Sequence, residues 1–200
     1  MPSLISALED DAPPVRESVA AALGKMGPVA RGAMDALAGR LSDDDADVRF
    51  MAAVALGRMG PGEEASRIVP RLAAALEDPS HRVRRRAAQT LGALPDIAGE
   101  AVPALVSLLS DAECRLEASW ALGRMGEEAV RALVAPLSST DPEVRMAATR
   151  ALAGCATRAR EAARPLLLEA SGDDDERVRT IAAKALGEQP GAAEEVGDNS

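Results

Sequence analysis

The 200-residue chain has very few of the side chains that build catalytic centres and sheet cores. It contains one Trp, one Phe, no Tyr, one His and two Cys. Aromatic and β-branched residues are too sparse for a sheet protein. The single histidine, His81, is insufficient for a His-based metal centre or a Ser-His-Asp triad without a distant partner. The composition therefore favours an all-helical protein without catalytic or metal chemistry.

Several further absences narrow the function. No apolar run approaches the ~20 residues that a membrane span needs, and no signal peptide opens the chain, so we expect a soluble cytoplasmic protein. The formal net charge of −9 argues against general affinity for nucleic acid or anionic membranes. Cys114 and Cys155 are predicted at opposite ends of corresponding helices, too far apart to form a disulfide. The triplets that begin at Asp43 and Asp173 lack the spaced ligands of a calcium loop.

What the chain has in abundance is repetition. The segment from Asp45 to Gly60 recurs, in degraded form, along the whole sequence. The copies align on arginines spaced by 33, 35, 31, 30 and 34 residues, namely Arg16, Arg49, Arg84, Arg115, Arg145 and Arg179. Eight positions after each arginine stand Gly24, Gly57, Gly92, Gly123, Ala153 and Gly187. Such a period predicts a stack of similar units with no single globular core.

Each unit is predicted to contain two helices. The first carries leucines at helical spacing in a frame that runs from a proline to an aspartate, as in Pro70 to Asp78, with the proline near the helix start or at a bend. The second helix begins at a capping aspartate four residues before the repeat arginine, such as Asp45. Paired alanines allow close helix contact, and we expect the glycine eight residues after the arginine to loosen the end of this helix.

The pattern Asp-x-x-x-Val-Arg-x-x-Ala-Ala-x-x-Leu-Gly resembles the short HEAT-like repeat that is also found in phycobilin lyases. The resemblance implies a right-handed α-solenoid of about six two-helix repeats, with the second helices on the concave side. It also implies a structural ladder of acids and arginines between units, in which Ser139 replaces the fifth acid. The fourth copy has two fewer residues between acid and arginine. The ladder residues are Asp10, Arg16, Asp43, Arg49, Asp78, Arg84, Asp111, Arg115, Arg145, Asp173 and Arg179.

The predicted array spans residues 1–188. Its units are roughly 1–27, 28–60, 61–94, 95–126, 127–156 and 157–188. Residues 189–200 contain a proline, glycines and acids, and this composition predicts a disordered acidic tail.

In a repeat protein, positions that differ between copies are candidates for binding. Positions one and five after the repeat arginine lie beside the buried stripe and should face the concave side, and both aromatic residues of the chain occupy this register. The predicted partner contacts are Phe50, Val54, Arg85, Gln89, Leu116, Trp120, Met146 and Arg150. The alternative is that Phe50 and Trp120 wedge against the neighbouring second helix and set the curvature.

The stretch from His81 to Arg86 is the densest basic segment of this acidic chain. One interpretation is a cationic spot that binds an acidic peptide, a phosphate or a carboxylate. The other is a solvated charge run neutralised by Asp78, Glu77 and acids of the second copy.

These observations predict a protein–protein interaction scaffold that binds a partner protein or peptide, needs no cofactor or metal and catalyses nothing itself. If the basic stretch is a binding spot, the bound segment of the partner is acidic or phosphorylated. The resemblance leaves one alternative open, a phycobilin lyase-like subunit that handles tetrapyrroles. A second alternative, a DNA-binding HEAT-like protein, requires a strongly basic concave surface and has weaker support in an acidic chain.

Overall fold

The structure is a computed structural model that describes residues 1–62, 64–155 and 158–187. Within these ranges the chain forms α-helices and short 3-10 segments, and no strand. None of these helices is long and apolar enough to cross a membrane. The predicted acidic tail, residues 189–200, lies outside the described residues.

The helices follow one another with short connections. Their bounds are α1 Pro2–Ala7, α2 Pro13–Met26, α3 Met34–Gly39, α4 Ala46–Met59, α5 Ala65–Ala74, α6 His81–Gly92, α7 Val102–Ser107, α8 Arg115–Arg124, α9 Glu127–Ala132, α10 Val134–Leu137, α11 Pro142–Cys155, α12 Arg160–Ala170 and α13 Glu176–Leu186. The 3-10 segments Gly27–Ala33 and Gly99–Ala101 precede α3 and α7, and three others extend α3, α5 and α7 by one turn.

The helices pack in two rows. The second helices of the units, α2, α4, α6, α8, α11 and α13, contact one another in chain order, and in the other row α3 contacts α5, α7 contacts α9, and α9 contacts α12. Leucines such as Leu37, Leu72 and Leu56 fill the space between the rows and are at most 1% exposed. The all-helical α-solenoid that the repeat predicts is therefore confirmed.

Proline occupies both of the predicted positions in the first helices. Pro2 and Pro103 stand in the first turn of α1 and α7, where a missing N–H has no helical acceptor to lose. Pro70 and Pro165 lie inside α5 and α12.

Three of the repeat glycines have a different role from the one predicted, whereas Gly92 is the last residue of α6 and Gly187 is the C-cap of α13 with a φ of 82°. Gly24, Gly57 and Gly123 lie inside their helices and do not loosen the helix ends. A methyl group on Gly24 would lie 2.9 Å from Cα of Ala55, and one on Gly123 would lie 3.1 Å from the carbonyl oxygen of Ala151. These glycines therefore allow consecutive second helices to approach closely. Sequence periodicity showed where the glycines recur, but the contact that requires them belongs to the next unit.

Candidate binding surface

The second-helix row carries three adjoining hollows, which we call the trough. The first, of about 250 Å³, is lined by Phe50, Arg82, Arg85, Arg86 and Gln89. The second, of about 450 Å³, is lined by Gln89, Leu116, Glu117 and Trp120. The third, also about 450 Å³, is lined by Ser119, Trp120, Gly123, Arg124, Arg150, Gly154 and Arg158. Because Gln89 borders the first two and Trp120 the last two, the hollows form one path across α4, α6, α8 and α11.

Trp120 lies at the middle of this path, where it is both exposed to solvent and packed on the preceding second helix. Its side chain is 47% exposed. One edge of the ring packs on the preceding second helix, so that a methyl group on Gly92 would lie 2.4 Å from Cζ3 of Trp120. The guanidinium of Arg124 lies 5.2 Å from the ring centroid, and its Nε donates to the carbonyl oxygen of Gly92 at 2.6 Å. The ring is thus held in position while much of its surface stays in solvent.

Phe50 is more enclosed than Trp120. It is partly buried, and the guanidinium groups of Arg82 and Arg86 lie 4.5 and 5.9 Å from its ring centroid. Val54, the second predicted contact on the same helix, is 6% exposed. Val54 therefore supports the surface from beneath and cannot contact a partner directly.

The other predicted contacts differ in exposure. Leu116 is 63% exposed beside Trp120. Arg150 is exposed and forms no ion pair with any described residue. Met146 is partly buried and packs on the small apolar cluster around Val178. Leu116 and Arg150 are therefore available to a partner, whereas Met146 belongs mainly to the packing between α11 and α13.

The basic stretch is largely neutralised, in part by Asp47, one of the acids of the second copy that were expected there, and in part by Glu117, which was not expected. Arg82 pairs with Asp47 at 2.7 Å, and Arg85 donates to Glu117 at 2.9 Å. Asp78, which was expected to neutralise the stretch, binds Arg49 instead. The acids that face this helix stand on the neighbouring second helices, a relationship that proximity in sequence does not reveal.

Arg86 is the exception within the stretch. It forms no ion pair with any described residue, and its Nε is buried without a hydrogen-bond acceptor. Burial, and after it repulsion from Arg58, lowers the pKa of Arg86. An unsatisfied buried donor is rare in folded proteins and indicates a strained or ligand-binding position.

Four of the repeat arginines form ion pairs with an acid of the next unit. Their nitrogens lie 2.6–2.8 Å from the carboxylate of the next unit. The pairs are Arg16–Asp43, Arg49–Asp78, Arg84–Asp111 and Arg145–Asp173. Each of these arginines also donates through Nη1 to the main-chain carbonyl six residues earlier. One guanidinium therefore joins two units and closes the turn before its own helix.

Two ladder positions lie at the ends of the described array. Arg179 donates to the carbonyl oxygens of Asp173 and Asp174, and the side chain of Asp10 accepts the main-chain N–H of Ala12.

The junction after the fourth unit departs from this pattern. Arg115 donates through Nε to the carbonyl oxygen of Leu109, and its Nη1 reaches Glu143 at 3.3 Å. Ser139 stands where the acid of the fifth unit would be, and its hydroxyl accepts the N–H of Asp141. The hydroxyl preserves the turn but not the charge.

The pKa values of three ladder carboxylates are lowered in the folded protein. For Asp173, the hydrogen bond from Arg145 lowers the pKa against an opposing effect of burial. For Asp43 and Asp111, burial raises the pKa, but hydrogen bonds from arginine and from the main chain outweigh it, so the net shift is downward. These side chains are charged and fully engaged in structure at neutral pH.

The two cysteines and the histidine do not line the trough. Burial raises the pKa of both thiols, Cys114 and Cys155, to about 11. His81 is exposed in the first turn of α6, and its main-chain carbonyl accepts from Cys114 Sγ at 3.8 Å. Among the described residues, no group of three or more His, Cys, Asp or Glu side chains could hold a metal ion.

Sequence reasoning missed Arg124 and Arg158 as components of the trough, whereas Arg82 and Arg86 belong to the basic stretch that it considered as a cationic spot. It considered positions one and five after the repeat arginine, and this ridge continues at position nine, where Arg124 follows Trp120 by one helical turn. Extending the ridge by four residues would have found Arg124. Nothing in the repeat register indicates Arg158, which follows α11 and pairs with Asp96 at 2.6 Å.

The family profile described as HEAT repeats matches residues 1–69, 68–153 and 130–196. No curated protein matches the sequence. The fold is similar to that of an engineered protein, with a TM-score of 0.64 and 26% identity over 92% of this chain and 96% of that chain. It is also similar to the complex of CpcE and CpcF of phycocyanin lyase from Nostoc sp., with a TM-score of 0.61 and 28% identity over 94% of this chain and 76% of that chain.

A designed armadillo repeat protein in complex with the peptide (KR)4 aligns with a TM-score of 0.62 over 93% of this chain and 98% of that chain. Its 22% identity relates the two proteins by fold alone.

Proposed function

The chain belongs to the HEAT-repeat family, and we propose that it is a scaffold that binds a segment of a partner protein in the trough and catalyses nothing itself. The observation that carries the proposal is the exposed pair Leu116 and Trp120 at the middle of the path. Burying each of these side chains against a partner can contribute about 1.5–3 kcal/mol. Because Trp120 is already held by Gly92 and Arg124, little conformational freedom is lost on binding.

Other residues of the trough extend this contact. Phe50, Arg85 and Gln89 line its first half, and Arg150 lines the last hollow. An aromatic anchor surrounded by arginines and neutral polar groups is typical of the centre of a protein interface.

The test compares capture of proteins from a lysate of the source organism by three forms of the immobilised chain. These are the parent, Leu116→Ala/Trp120→Ala, and the control Val134→Ala/Leu168→Ala, whose two side chains are 50% and 46% exposed outside the trough. We expect at least one protein to be captured by the parent and by the control but not by the trough variant. Circular dichroism and urea unfolding establish that each variant is folded. Equal capture by all three forms would exclude the trough as the binding site.

Trp120 also reports binding directly, because it is the single Trp of the chain. When the captured partner is added back, its emission should shift to the blue and iodide should quench it less. An unchanged emission and unchanged quenching would place the partner elsewhere on the array.

The similarity to the CpcE–CpcF complex supports a second candidate, a lyase-like subunit that handles a bilin together with a second chain. In that case phycocyanobilin should bind to the chain, either by itself or in the presence of its partner chain. Binding should quench the fluorescence of Trp120 and change the visible absorption of the bilin. No spectral change in either mixture would remove this candidate and would leave the scaffold proposal intact.

A further inference from the structure

Positive charge remains unneutralised at both ends of the trough. Most arginines of the second helices pair with an acid on a neighbouring unit, whereas Arg58, Arg86, Arg124, Arg150 and Arg179 form no ion pair with any described residue; of these, Arg86 and Arg150 stand at the two ends of the trough. In a chain with a net charge of −9 there is no shortage of acids. The absence of a pairing carboxylate at these two positions therefore distinguishes them from the ladder.

At the first end, Arg86 offers a donor that has no acceptor. Its Nε is buried, and its guanidinium lies near the ring of Phe50 with Arg82 on the same ring. Leaving a buried donor unsatisfied is unfavourable, and Arg86 lines the first hollow, where an incoming anion would neutralise its charge.

At the second end, Arg124, Arg150 and Arg158 line the third hollow, and none of the described residues that line it is an acid. Gly123 and Gly154 lie between these arginines, with their main chains so close that a methyl group on Gly154 would lie 2.8 Å from Cα of Gly123. Both glycines line the third hollow together with the three arginines. Arg158 holds Asp96 in an exposed pair, and such a pair contributes little and can be exchanged for a ligand.

Between these ends the trough is neutral and largely apolar. Glu117 is the one acid that lines the middle hollow, and it is bound by Arg85 at 2.8 Å. Leu116 and Trp120 supply the remaining exposed surface. The charge pattern along the path is therefore positive, apolar, positive.

The spacing of the two ends sets the length of the occupant. Arg86 stands on α6 and Arg150 on α11, with α8 between them. Two steps between packed helices of about 8–10 Å each place the ends roughly 16–20 Å apart. An extended chain advances about 3.3 Å per residue, so this distance corresponds to about five or six residues.

From this complementarity, and resting on the proposed function, we infer that the occupant is an extended acidic peptide segment with two anionic side chains about five or six residues apart and a large apolar side chain between them. Arg86 with Arg82 binds one anion, Arg150 with Arg124 binds the other, and the apolar side chain lies on Leu116 and Trp120. Carboxylates and phosphoryl groups share the required chemistry, because both accept two hydrogen bonds from a guanidinium.

The probe is an array of synthetic peptides on a Gly-Ser framework. Two acidic residues are placed from about two to about nine residues apart, with Leu or Gly between them. Parallel sets carry glutamate, phosphoserine, glutamine or lysine at the two positions. Binding of the labelled chain is measured for the parent, for Arg86→Gln and Arg150→Gln, and for the control Arg164→Gln, which removes an exposed arginine of α12 that has no acid partner among the described residues.

We expect binding to be greatest at a spacing of about five or six residues with Leu between the anions. Arg86→Gln and Arg150→Gln should each weaken it by roughly tenfold or more, as expected for a lost charge-assisted hydrogen bond, while Arg164→Gln leaves it unchanged. The glutamate and phosphoserine sets distinguish the source of the anion, and the glutamine and lysine sets should not bind.

Two results would overturn the inference. One is the absence of binding to every acidic peptide, and the other is binding that depends neither on spacing nor on Arg86 and Arg150. If the captured partner is still lost with Leu116→Ala/Trp120→Ala, the scaffold proposal stands while the acidic-segment inference fails. If that variant retains the partner, the scaffold proposal has failed independently.

Discussion

Arg84 and Arg86 stand two residues apart on α6 and show how this fold divides its charges between stability and binding. Arg84 binds Asp111 of the next unit and the carbonyl oxygen of Asp78, so its guanidinium is fully engaged. Arg86 points to the trough, has a buried Nε without an acceptor and has no acid partner among the described residues. The first position recurs in every unit and holds the stack together. The second is specific to its unit, and specific positions are where a repeat protein can bind selectively.

The largest expected loss of stability comes from removing one ion pair of the ladder. Arg49→Ala leaves the carboxylate of Asp78, whose side chain is 6% exposed, without its cation. We expect a loss of about 2–4 kcal/mol in the free energy of unfolding, measured by urea denaturation. The control Arg131→Ala breaks a pair with Glu127 in which both side chains are more than half exposed. It should change stability by less than about 0.5 kcal/mol. Equal losses in both variants would show that the ladder has no special role.

The next effect tests the contact between helices that the repeat glycines allow. In Gly24→Ala, the added methyl group meets Cα of Ala55 at 2.9 Å, and main-chain atoms cannot move aside as a side chain can. We expect a loss of about 1–3 kcal/mol. The control is Gly39→Ala, because a methyl group there meets nothing within 4 Å. It should be neutral or stabilising by up to about 1 kcal/mol. If Gly24→Ala were as stable as Gly39→Ala, the glycine would not be required by packing.

This glycine also shows where prediction from sequence reached its limit. The solenoid was predictable because the spacing of the arginines and the paired alanines are local patterns that recur. The role of Gly24 was misread because its contact is with Ala55, in the next unit. The partner of Arg85 was missed for the same reason, since Glu117 lies on the next second helix.

Exposure of the predicted contacts was equally difficult to predict. Positions one and five of the register identified Leu116 and Trp120, which are exposed, together with Val54, which is buried. A register fixes the direction of a side chain from its own helix, but the neighbouring helix decides how much of it is covered.

Acid should weaken the ladder in a defined direction. The hydrogen bond from Arg145 lowers the pKa of Asp173 below its ordinary value of 3.8, so the folded protein holds this proton less tightly than the unfolded chain. The resulting stability is present above that value and is lost as the pH falls through the lowered pKa. Asp173→Ser reproduces the uncharged junction at Ser139, and its urea midpoint should therefore fall less between about pH 6 and about pH 3 than that of the parent.

The matched control for this pH series is Asp174→Ser, because the side chain of Asp174 makes no hydrogen bond to a described residue. It should follow the parent. A pH dependence that is the same in the parent, Asp173→Ser and Asp174→Ser would contradict the assignment.

The ladder acid that is missing at Ser139, between the fourth and fifth units, can be introduced by mutation. Ser139→Asp places a carboxylate where the other units have one, and we expect it to pair with Arg115, whose nearest acid is now Glu143 at 3.3 Å. We expect a gain of about 0.5–1 kcal/mol in the free energy of unfolding. Ser138→Asp adds the same charge at the adjacent exposed position and should give no gain. A loss in Ser139→Asp would indicate that the shorter turn of the fourth unit excludes the ladder geometry.

The smallest expected change in stability is that of substituting Arg86, which is not a ladder residue. Arg86→Met removes the buried unsatisfied Nε and keeps a flexible side chain against Phe50. Relief of the unsatisfied donor exceeds the lost cation–π contact, so we expect a gain of about 0.5 kcal/mol. Arg82→Met is the control, because it loses both an ion pair with Asp47 and a closer contact with the same ring, and it should be slightly destabilising. A loss of stability in Arg86→Met would mean that this arginine serves the fold. A gain together with weaker binding of acidic peptides would show that the trough retains Arg86 for its ligand at the expense of stability.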